Sequence, residues 1–154
     1  MRQILYRGKI INTDVFTYGF YFERFIEGEK HSYIKYETFD EGFVTNEVVP
    51  DTVGQYTGVR DDKWARVFEG DILEVSCDDG TAYTTEVKAY GNTLCVDVEG
   101  EDYDYTAFDF AVDLWRAEGC EFEVVDNIYD KNKDADASTE FLKAVDPFSV
   151  YHNF

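Results

Sequence analysis

The chain has 154 residues, of which 44% are hydrophobic and 18% aromatic, and it carries a net charge of −19 at pH 7. This length and apolar content predict one folded domain, with or without a small appendage, and argue against global disorder. No apolar run reaches the roughly 18 residues that a membrane span needs. The opening MRQILYRGKI has charges on both sides of a short apolar core, which is not the pattern of a signal peptide.

The negative charge is concentrated in the second half of the chain. Residues 1–66 contain nine basic and eleven acidic residues, a net of −2, whereas residues 67–154 contain five and twenty-two, a net of −17. Such a surface repels nucleic acid and anionic membranes over about a Debye length, ~8 Å. Because of this repulsion, we expect neither direct nucleic-acid binding nor membrane association. The negative charge is instead explained by solubility or by binding to a basic protein partner.

The first half of the chain predicts β structure, since aromatic residues are abundant and prolines are few. Residues 2–8 predict a strand, and residues 17–36 predict a hairpin that turns at Glu27-Gly28-Glu29. A polar loop is expected over residues 37–43. A short strand is expected over residues 47–49, and Pro50 ends it because proline cannot donate a hydrogen bond to a sheet.

The stretch VGQYTG, residues 53–58, has two glycines around an aromatic residue. We interpret it as a corner and bulge that joins two β layers, since glycines in strand-like runs usually mark bends. Val53 and Tyr56 are expected to point into the core. A ligand loop is the alternative, but no phosphate-binding glycine motif lies nearby.

Residues 71–98 predict a three-stranded antiparallel meander. Its turns are Asp79-Gly80 and Gly91-Asn92, both common two-residue hairpin turns. The middle strand is expected over residues 82–90.

A helix is predicted over residues 107–118. The apolar residues Phe108, Ala111, Val112 and Trp115 recur with the spacing of one helix face. Thr106 is the expected N-cap, and Gly119 fits the helix end.

The sequence FEVVDNIY, residues 122–129, predicts a final strand with Phe122, Val124 and Ile128 inward. These elements together predict a mainly β (β-rich α+β) fold, in which antiparallel strands form a small barrel-like or layered sheet domain with one or two short helices. We expect the domain to span residues 1–130. Residues 131–154 are expected to form a linker and a short C-terminal extension.

The pieces RQILYRGK, PDTVGQYTG, VFEGDIL and FEVVDNIYD follow one another between residue 2 and about residue 130. In this order they resemble the YopX family, small proteins carried mostly by bacteriophages and prophages. The resemblance implies a β-rich fold and residence in the bacterial host cytoplasm, and it supplies no agreed catalytic residues. The matched positions, expected to be structural, are Pro50, Gly54, Gln55, Tyr56, Gly58, Glu69, Gly70, Asp71, Asn127 and Tyr129.

The chain departs from the family pattern at three places, one of which is the segment FLKAVDPFSVYHNF beyond the family's usual end. Lys63-Trp64 stands where an Asn-Gly turn is usual, which suggests an exposed tryptophan. Asp126 stands where a glycine is usual, so a left-handed backbone is not expected there.

The cysteines Cys77, Cys95 and Cys120 are odd in number and have no CxxC spacing. They predict free thiols in a reducing cytosol.

The two histidines, His31 and His152, lie in no nucleophile motif and are expected to be solvated. A base that meets a Cys or Ser only in space stays open as an alternative.

A metal site is suggested only by an incomplete pattern. The sequence from Asp130 to Ser138 places oxygen side chains at alternate positions, as in an EF-hand loop. However, Ala135 and Phe141 occupy the positions of the required glycine and bidentate glutamate. We therefore expect a solvated linker, with no metal and no cofactor.

Two charged segments bear on partner choice. A basic patch in the near-neutral half would favour nucleic acid, and its members would be Arg2, Arg7, Lys9, Arg60, Lys63 and Arg66.

Between residues 97 and 113, seven acids stand among aromatics with no basic residue. Spaced carboxylates can imitate DNA phosphates in a basic groove. This candidate partner-binding acidic surface consists of Asp97, Glu99, Glu101, Asp102, Asp104, Asp109 and Asp113.

The first functional hypothesis is a non-enzymatic binding or regulatory protein that acts on a host or phage protein. One alternative is an acidic DNA mimic that inhibits a host defence or DNA-processing enzyme, and an even face of carboxylates would favour it. The other alternative is a hydrolase, which a deep pocket with perturbed carboxylates would favour.

Overall fold

The computed structural model describes residues 4–98 and 106–130, and these form a mainly β fold with one helix, as predicted. The chain divides into two compact units between Tyr56 and Thr57. The described part of the first unit is residues 4–56, and that of the second is residues 57–98 and 106–130. The predicted extension over residues 131–154 lies outside the described residues.

The first unit is an antiparallel sheet with the strand order β4-β3-β2-β1-β5. Its strands are β1 (Tyr6–Lys9), β2 (Phe16–Ile26), β3 (Glu29–Thr38), β4 (Gly42–Val48) and β5 (Gly54–Arg60), the last of which continues into the second unit. Strands β2 and β3 form the predicted hairpin, which turns at Glu27 and Gly28 with φ of 52° and 83°. Its core contains Leu5, Phe16, Tyr18, Ile34 and Val48.

Two predictions for this unit are wrong. Residues 42–48 form a seven-residue strand, where a polar loop over 37–43 and a strand over 47–49 were expected. Residues 54–60 form β5, and the turn comes earlier, in the 3-10 helix Pro50–Thr52. The corner expected in VGQYTG does not form, and the one unusual backbone angle in this stretch is the positive φ of 85° at Gly58, inside β5.

The second unit packs two three-stranded sheets and one helix around a shared core. Its further elements are β6 (Arg66–Phe68), β7 (Asp71–Cys77), β8 (Ala82–Glu86), β9 (Lys88–Tyr90), β10 (Thr93–Val96), β11 (Thr106–Ala107), α1 (Phe108–Ala117) and β12 (Cys120–Asn127). The sheets have the orders β12-β7-β8 and β11-β10-β9, and β6 lies beside β5.

The predicted meander is wrong in its middle strand. Both turns form, but residues 82–90 break at Val87 into β8 and β9, which belong to different sheets. The Val87 backbone N–H donates to the Asp71 carbonyl, and the Val87 carbonyl accepts from the Gly70 N–H. This fully buried residue therefore connects the two sheets.

The helix prediction is confirmed on its apolar face. Phe108, Ala111, Val112 and Trp115 are buried, and the Trp115 indole N–H donates to the Tyr83 hydroxyl at 2.7 Å. The expected cap is wrong, because Thr106 belongs to β11 and Ala107 is the N-cap, with no side-chain hydrogen bond. Ile128, expected inward, is 46% exposed.

The prediction of free thiols is wrong for two of the three cysteines. Cys77 at the end of β7 and Cys120 at the start of β12 are cross-strand neighbours and form a disulfide. Only Cys95 is a free thiol, and it is buried. Cys77 and Cys120 are 43 residues apart along the chain, and the pairing of β7 with β12 brings their two sulfur atoms together.

Candidate partner-binding surface

A tight turn over residues 61–65, here called the Trp64 turn, is held by a buried carboxylate. Asp61 is 3% exposed. Its Oδ1 accepts hydrogen bonds from the backbone N–H groups of Lys63 (2.9 Å) and Ala65 (2.7 Å), and its Oδ2 accepts one from Val124 N–H (2.8 Å). Charged acceptors make stronger hydrogen bonds than neutral ones. The carboxylate therefore fixes the turn and ties it to β12.

The neighbouring Asp62 makes a second connection to β12. Its backbone N–H donates to the Phe122 carbonyl at 3.1 Å, and its Oδ2 accepts from the Phe122 N–H at 2.8 Å. Two consecutive aspartates thus anchor the turn to one strand.

Trp64 occupies an unusual place at this turn. Its φ is 69°, in the left-handed region that bulky side chains rarely adopt, and its side chain is 73% exposed. Such a backbone costs on the order of 1–3 kcal/mol and persists only where the surroundings impose it. The structure thus places a large apolar ring in solvent at an energetic cost.

Arg60 supports the same turn from its base. Its Nη1 donates to the Trp64 carbonyl at 2.8 Å, and its guanidinium carbon lies 5.0 Å from the centroid of the Trp64 ring. The contact limits the directions that the ring can take.

The outer face of β12, β7 and β8 is acidic and adjoins the Trp64 turn. Glu123 lies directly opposite Glu74 in the pairing of β12 with β7, and Glu121 lies opposite Ser76. Like charges at directly opposed positions destabilise a sheet. Lys63 of the turn reaches this face, with its Nζ 3.7 Å from Glu123 Oε2. We name Glu74, Glu121 and Glu123 the acidic sheet face.

With this geometry described, comparison with known proteins gives one match. The model of the YopX protein family matches residues 6–133. This chain belongs to the YopX family. No curated protein and no solved structure matches it.

The YopX signature positions form structural contacts in the described residues. Asp71 is 1% exposed, and its Oδ2 accepts from the Phe68 N–H at 2.7 Å. Gly70 has a φ of 93°, and a Cβ there would lie 2.6 Å from the Tyr129 ring. The Asn127 side chain accepts from the backbone N–H groups of Tyr129 and Asp130. These residues lie together at one end of the β7–β12 pair, where Asn127 is opposite Asp71.

The family signature positions in the first part of the chain lie on the sheet and on the turn that precedes β5. Pro50 begins the 3-10 helix, and Gly54 and Gln55 pair with Arg7 and Tyr6 of β1. The Tyr56 N–H donates to the Leu5 carbonyl. Glu69 is half-buried beside Gly70.

The acidic surface predicted for this chain is described only in part. Asp109 and Asp113 are exposed on α1, and Asp97 lies 3.2 Å from the Lys88 ammonium. Glu99, Glu101, Asp102 and Asp104 lie outside the described residues. The acidic sheet face was not predicted, although the alternating acids of CEFEVVDN indicate it in the sequence.

The basic patch that would have favoured nucleic acid does not form among the described residues. Arg7, Lys9 and Arg66 are buried, with exposures of 4%, 5% and 6%. The Arg7 guanidinium lies 4.4 Å from the centroid of the Phe16 ring. Arg60 and Lys63 belong to the Trp64 turn instead, and Arg2 lies outside the described residues.

Neither a metal-ligating cluster nor a membrane-spanning helix occurs within residues 4–98 and 106–130 of this YopX chain. The EF-hand-like positions after Asp130 lie outside the described residues. Asp130 itself accepts a hydrogen bond from the Asn127 amide at 2.7 Å.

His31 is half-buried and is paired with Glu47 through its Nδ1 at 2.8 Å, and His152 lies outside the described residues.

Proposed function

We propose that this YopX-family chain is a non-enzymatic protein that binds a protein partner through the Trp64 turn. The observation that carries the proposal is the solvent-facing Trp64 ring on a left-handed backbone that Asp61 enforces. Tryptophan is enriched among the few residues that dominate protein interfaces. A pre-organised anchor loses little conformational freedom on binding.

The acidic sheet face supplies the expected selectivity for the partner. Complementary charge speeds association and excludes wrong partners more than it adds affinity. A basic patch beside an apolar pocket on the partner fits this surface. We propose a host or phage protein in the bacterial cytoplasm as that partner.

The non-enzymatic part of the proposal is supported by the roles of the buried carboxylates. Asp61 and Asp71 are the buried acids among the described residues, and both accept backbone hydrogen bonds. Each has a structural task at a turn, which is different from the carboxylate facing a substrate cleft that a hydrolase needs.

The test compares three forms of the tagged chain in affinity purification from lysate of the bacterium that carries the gene. The forms are the wild type, Trp64→Gly and the control Phe110→Ala, which removes another exposed ring of the second unit. Glycine accepts the left-handed backbone, so Trp64→Gly keeps the turn. We expect a partner retained by wild type and Phe110→Ala and lost by Trp64→Gly. Retention by all three forms would refute the proposal.

Fluorescence tests direct contact with a purified partner. The two tryptophans differ sharply, since Trp64 is 73% exposed and Trp115 is 1% exposed. Partner binding should protect the accessible fraction of the emission from acrylamide. An unchanged quenching curve at saturating partner would show that Trp64 stays outside the interface.

DNA mimicry is a second candidate, favoured by the opposition of Glu74 and Glu123. Glu121 and Glu123 are two residues apart on one strand, which sets them about 6.6–6.8 Å apart. The face therefore carries three carboxylates at the spacing of sheet neighbours, with Ser76 opposite Glu121, and this cluster is what supports phosphate imitation. We expect Glu74→Gln combined with Glu123→Gln to weaken competition with duplex DNA for a basic partner. The control Asp40→Asn with Glu41→Gln changes charge equally at exposed acids of the first unit, and equal weakening by both pairs would contradict mimicry by this face.

A further inference from the structure

A groove on the exposed face of the first unit has a composition unlike the rest of this acidic chain. Its volume is about 680 Å³, and it is lined by three aromatic rings, an isoleucine, a threonine and two cations, with no carboxylate among the described lining residues. The cations are Arg24 of β2 and Lys35 of β3. A groove of this size lies within the range of ligand sites in proteins.

The groove floor is a pair of stacked rings. Phe22 and Tyr33 are cross-strand partners whose ring centroids lie 5.2 Å apart at an interplanar angle of 17°. Their neighbours Ile34 and Val48 point to the other face of the sheet and are buried. The sheet therefore exposes an aromatic face where most antiparallel sheets expose a polar one.

Lys35 extends along the groove toward the sheet edge. Its Nζ lies 4.4 Å from the centroid of the Phe43 ring, and that ring is 58% exposed. Lys35 is half-buried and pairs with Thr45 of β4, whereas Phe43 pairs with Glu37. An anionic side chain on a strand added beyond Thr45 would therefore lie nearest to this ammonium.

Strand β4 is the edge of the sheet and lacks the usual protection. It pairs with β3 over seven residues without a register shift, and its sequence GFVTNEV contains neither lysine nor proline. Backbone hydrogen bonds with Lys9 and Ile11 cover the end at Glu47 and Val49. Over residues 42–46, no described residue pairs with the outer side of the strand.

We propose that residues 42–46 accept an extended segment of another protein as an added strand, and that the adjacent groove selects a carboxylate flanked by aromatic side chains. Backbone hydrogen bonds to an edge supply affinity, while alternate side chains supply specificity. The positive charges of Arg24 and Lys35 are the reason for a carboxylate in the bound segment. The exposed Phe43 ring is the reason for aromatic side chains on both sides of that carboxylate. This surface lies in the first unit and does not depend on the Trp64 turn.

The probe is a labelled heptapeptide, Thr-Phe-Thr-Glu-Thr-Phe-Thr, capped at both ends. Its sequence reads the same in both directions, so parallel and antiparallel addition both place the glutamate between two phenylalanines on one face. Fluorescence anisotropy with the full chain measures its Kd. A second peptide carries glutamine in place of the glutamate.

Lys35→Gln should raise the Kd of the glutamate peptide about twofold to fivefold, as loss of an exposed ion pair does, and leave the glutamine peptide unchanged. Lys30→Gln is the matched control, since it removes the same charge from the same strand outside the groove lining. Equal effects of the two variants, or of Lys35→Gln on both peptides, would overturn the assignment of the carboxylate. Trp64→Gly should bind the peptide like wild type.

Backbone methylation tests strand addition. One peptide is N-methylated at the Phe and Glu positions and another at the inner Thr positions, because alternate N–H groups point to the same edge. Strand addition predicts that one methylated peptide binds and the other does not. Equal behaviour of the two would refute it.

Two other occupants of the edge are also tested. If the chain sediments as a dimer that excludes the peptide, a second copy covers β4 and the proposal fails. If oligothymidine binds and the peptide does not, the groove is a nucleic-acid site and the proposal fails. Hydrogen exchange completes the test, since the alternate amides of residues 43–46 that point away from β3 should exchange more slowly when the peptide is added.

Discussion

Asp61 illustrates how one side chain organises a surface. Three backbone N–H groups converge on its two carboxylate oxygens, and two of them belong to the turn that presents Trp64. A surface residue can thus depend on a buried one that contacts no partner. Loss of Asp61 should disturb both stability and binding.

Asp61→Asn should lower the free energy of unfolding by about 2–3 kcal/mol, because an amide has one acceptor oxygen and leaves a buried N–H unsatisfied. Urea denaturation measures the change. Asp62→Asn is the control, since Asp62 is exposed and its side chain accepts one backbone bond. Equal losses for the two variants would contradict the role given to Asp61.

The β2–β3 hairpin contains a second residue-scale device. The Tyr21 hydroxyl donates to Glu23 at 2.6 Å, and the Lys30 ammonium lies 3.1 Å from the same carboxylate. These hydrogen bonds lower the pKa of Glu23, and the pairing raises the pKa of Lys30. Burial, with the bond to Glu23, raises the pKa of Tyr21.

Tyr21→Phe should raise the pKa of Glu23 toward its ordinary value, as followed by NMR titration of the carboxyl carbon. A lowered folded pKa stabilises the protein above the unfolded value of about 4.3, and that contribution is lost as pH falls through the folded pKa. The variant should therefore lose less stability on acidification. Asp79, whose pKa is lowered by Thr81, is the internal control. An unchanged Glu23 titration would contradict this account.

At the scale of elements, α1 begins without a side-chain cap. Ala107 is exposed and occupies the N-cap position with an extended backbone. Ala107→Ser should raise the free energy of unfolding by about 1 kcal/mol, because the serine hydroxyl can accept a hydrogen bond from a backbone N–H in the first turn of α1. Thermal unfolding measures this gain, with Ala117→Ser at the other end of the helix as control. Equal effects would exclude capping as the cause.

The disulfide joins β7 to β12 and should be visible by thiol counting. In denaturant without reductant, one thiol per chain should react, that of Cys95, and after reduction all three should react. From the 43-residue separation, loop closure gives a stabilisation of about 4 kcal/mol. The double variant Cys77→Ser with Cys120→Ser measures it. Three reactive thiols before reduction would show that the bond is absent.

Sequence patterns predicted elements where one periodicity dominated. The spacing of Phe108, Ala111, Val112 and Trp115 identified α1 because its apolar face is continuous. The break at Val87 was missed because Tyr83, Thr85 and Val87 keep the same alternation across it.

The candidate site was predictable only in part. The departure at Lys63-Trp64 suggested an exposed ring, but the hydrogen bond from Val124 to Asp61 spans 63 residues along the chain and leaves no local pattern. The disulfide was missed for the same reason, since strand register decides which cysteines meet.

At the scale of the whole molecule, the net charge of −19 opposes compaction. Sodium chloride should raise the melting temperature between 0.02 and 0.5 M, because ions screen repulsion between exposed carboxylates. Glu74→Gln should show a smaller rise, since it removes one member of the opposed pair with Glu123. A melting temperature independent of salt would contradict a destabilising role for the charge.

The Cys77–Cys120 bond also has a mechanical consequence. It closes a covalent loop with a sequence separation of 43 residues, and force applied to the chain ends passes across the sulfur atoms and bypasses that loop. At about 3.5 Å per extended residue, the bypassed length is roughly 150 Å. A protease or translocase that threads the chain thus meets a doubled strand when the cysteines are oxidised and a single one when they are reduced.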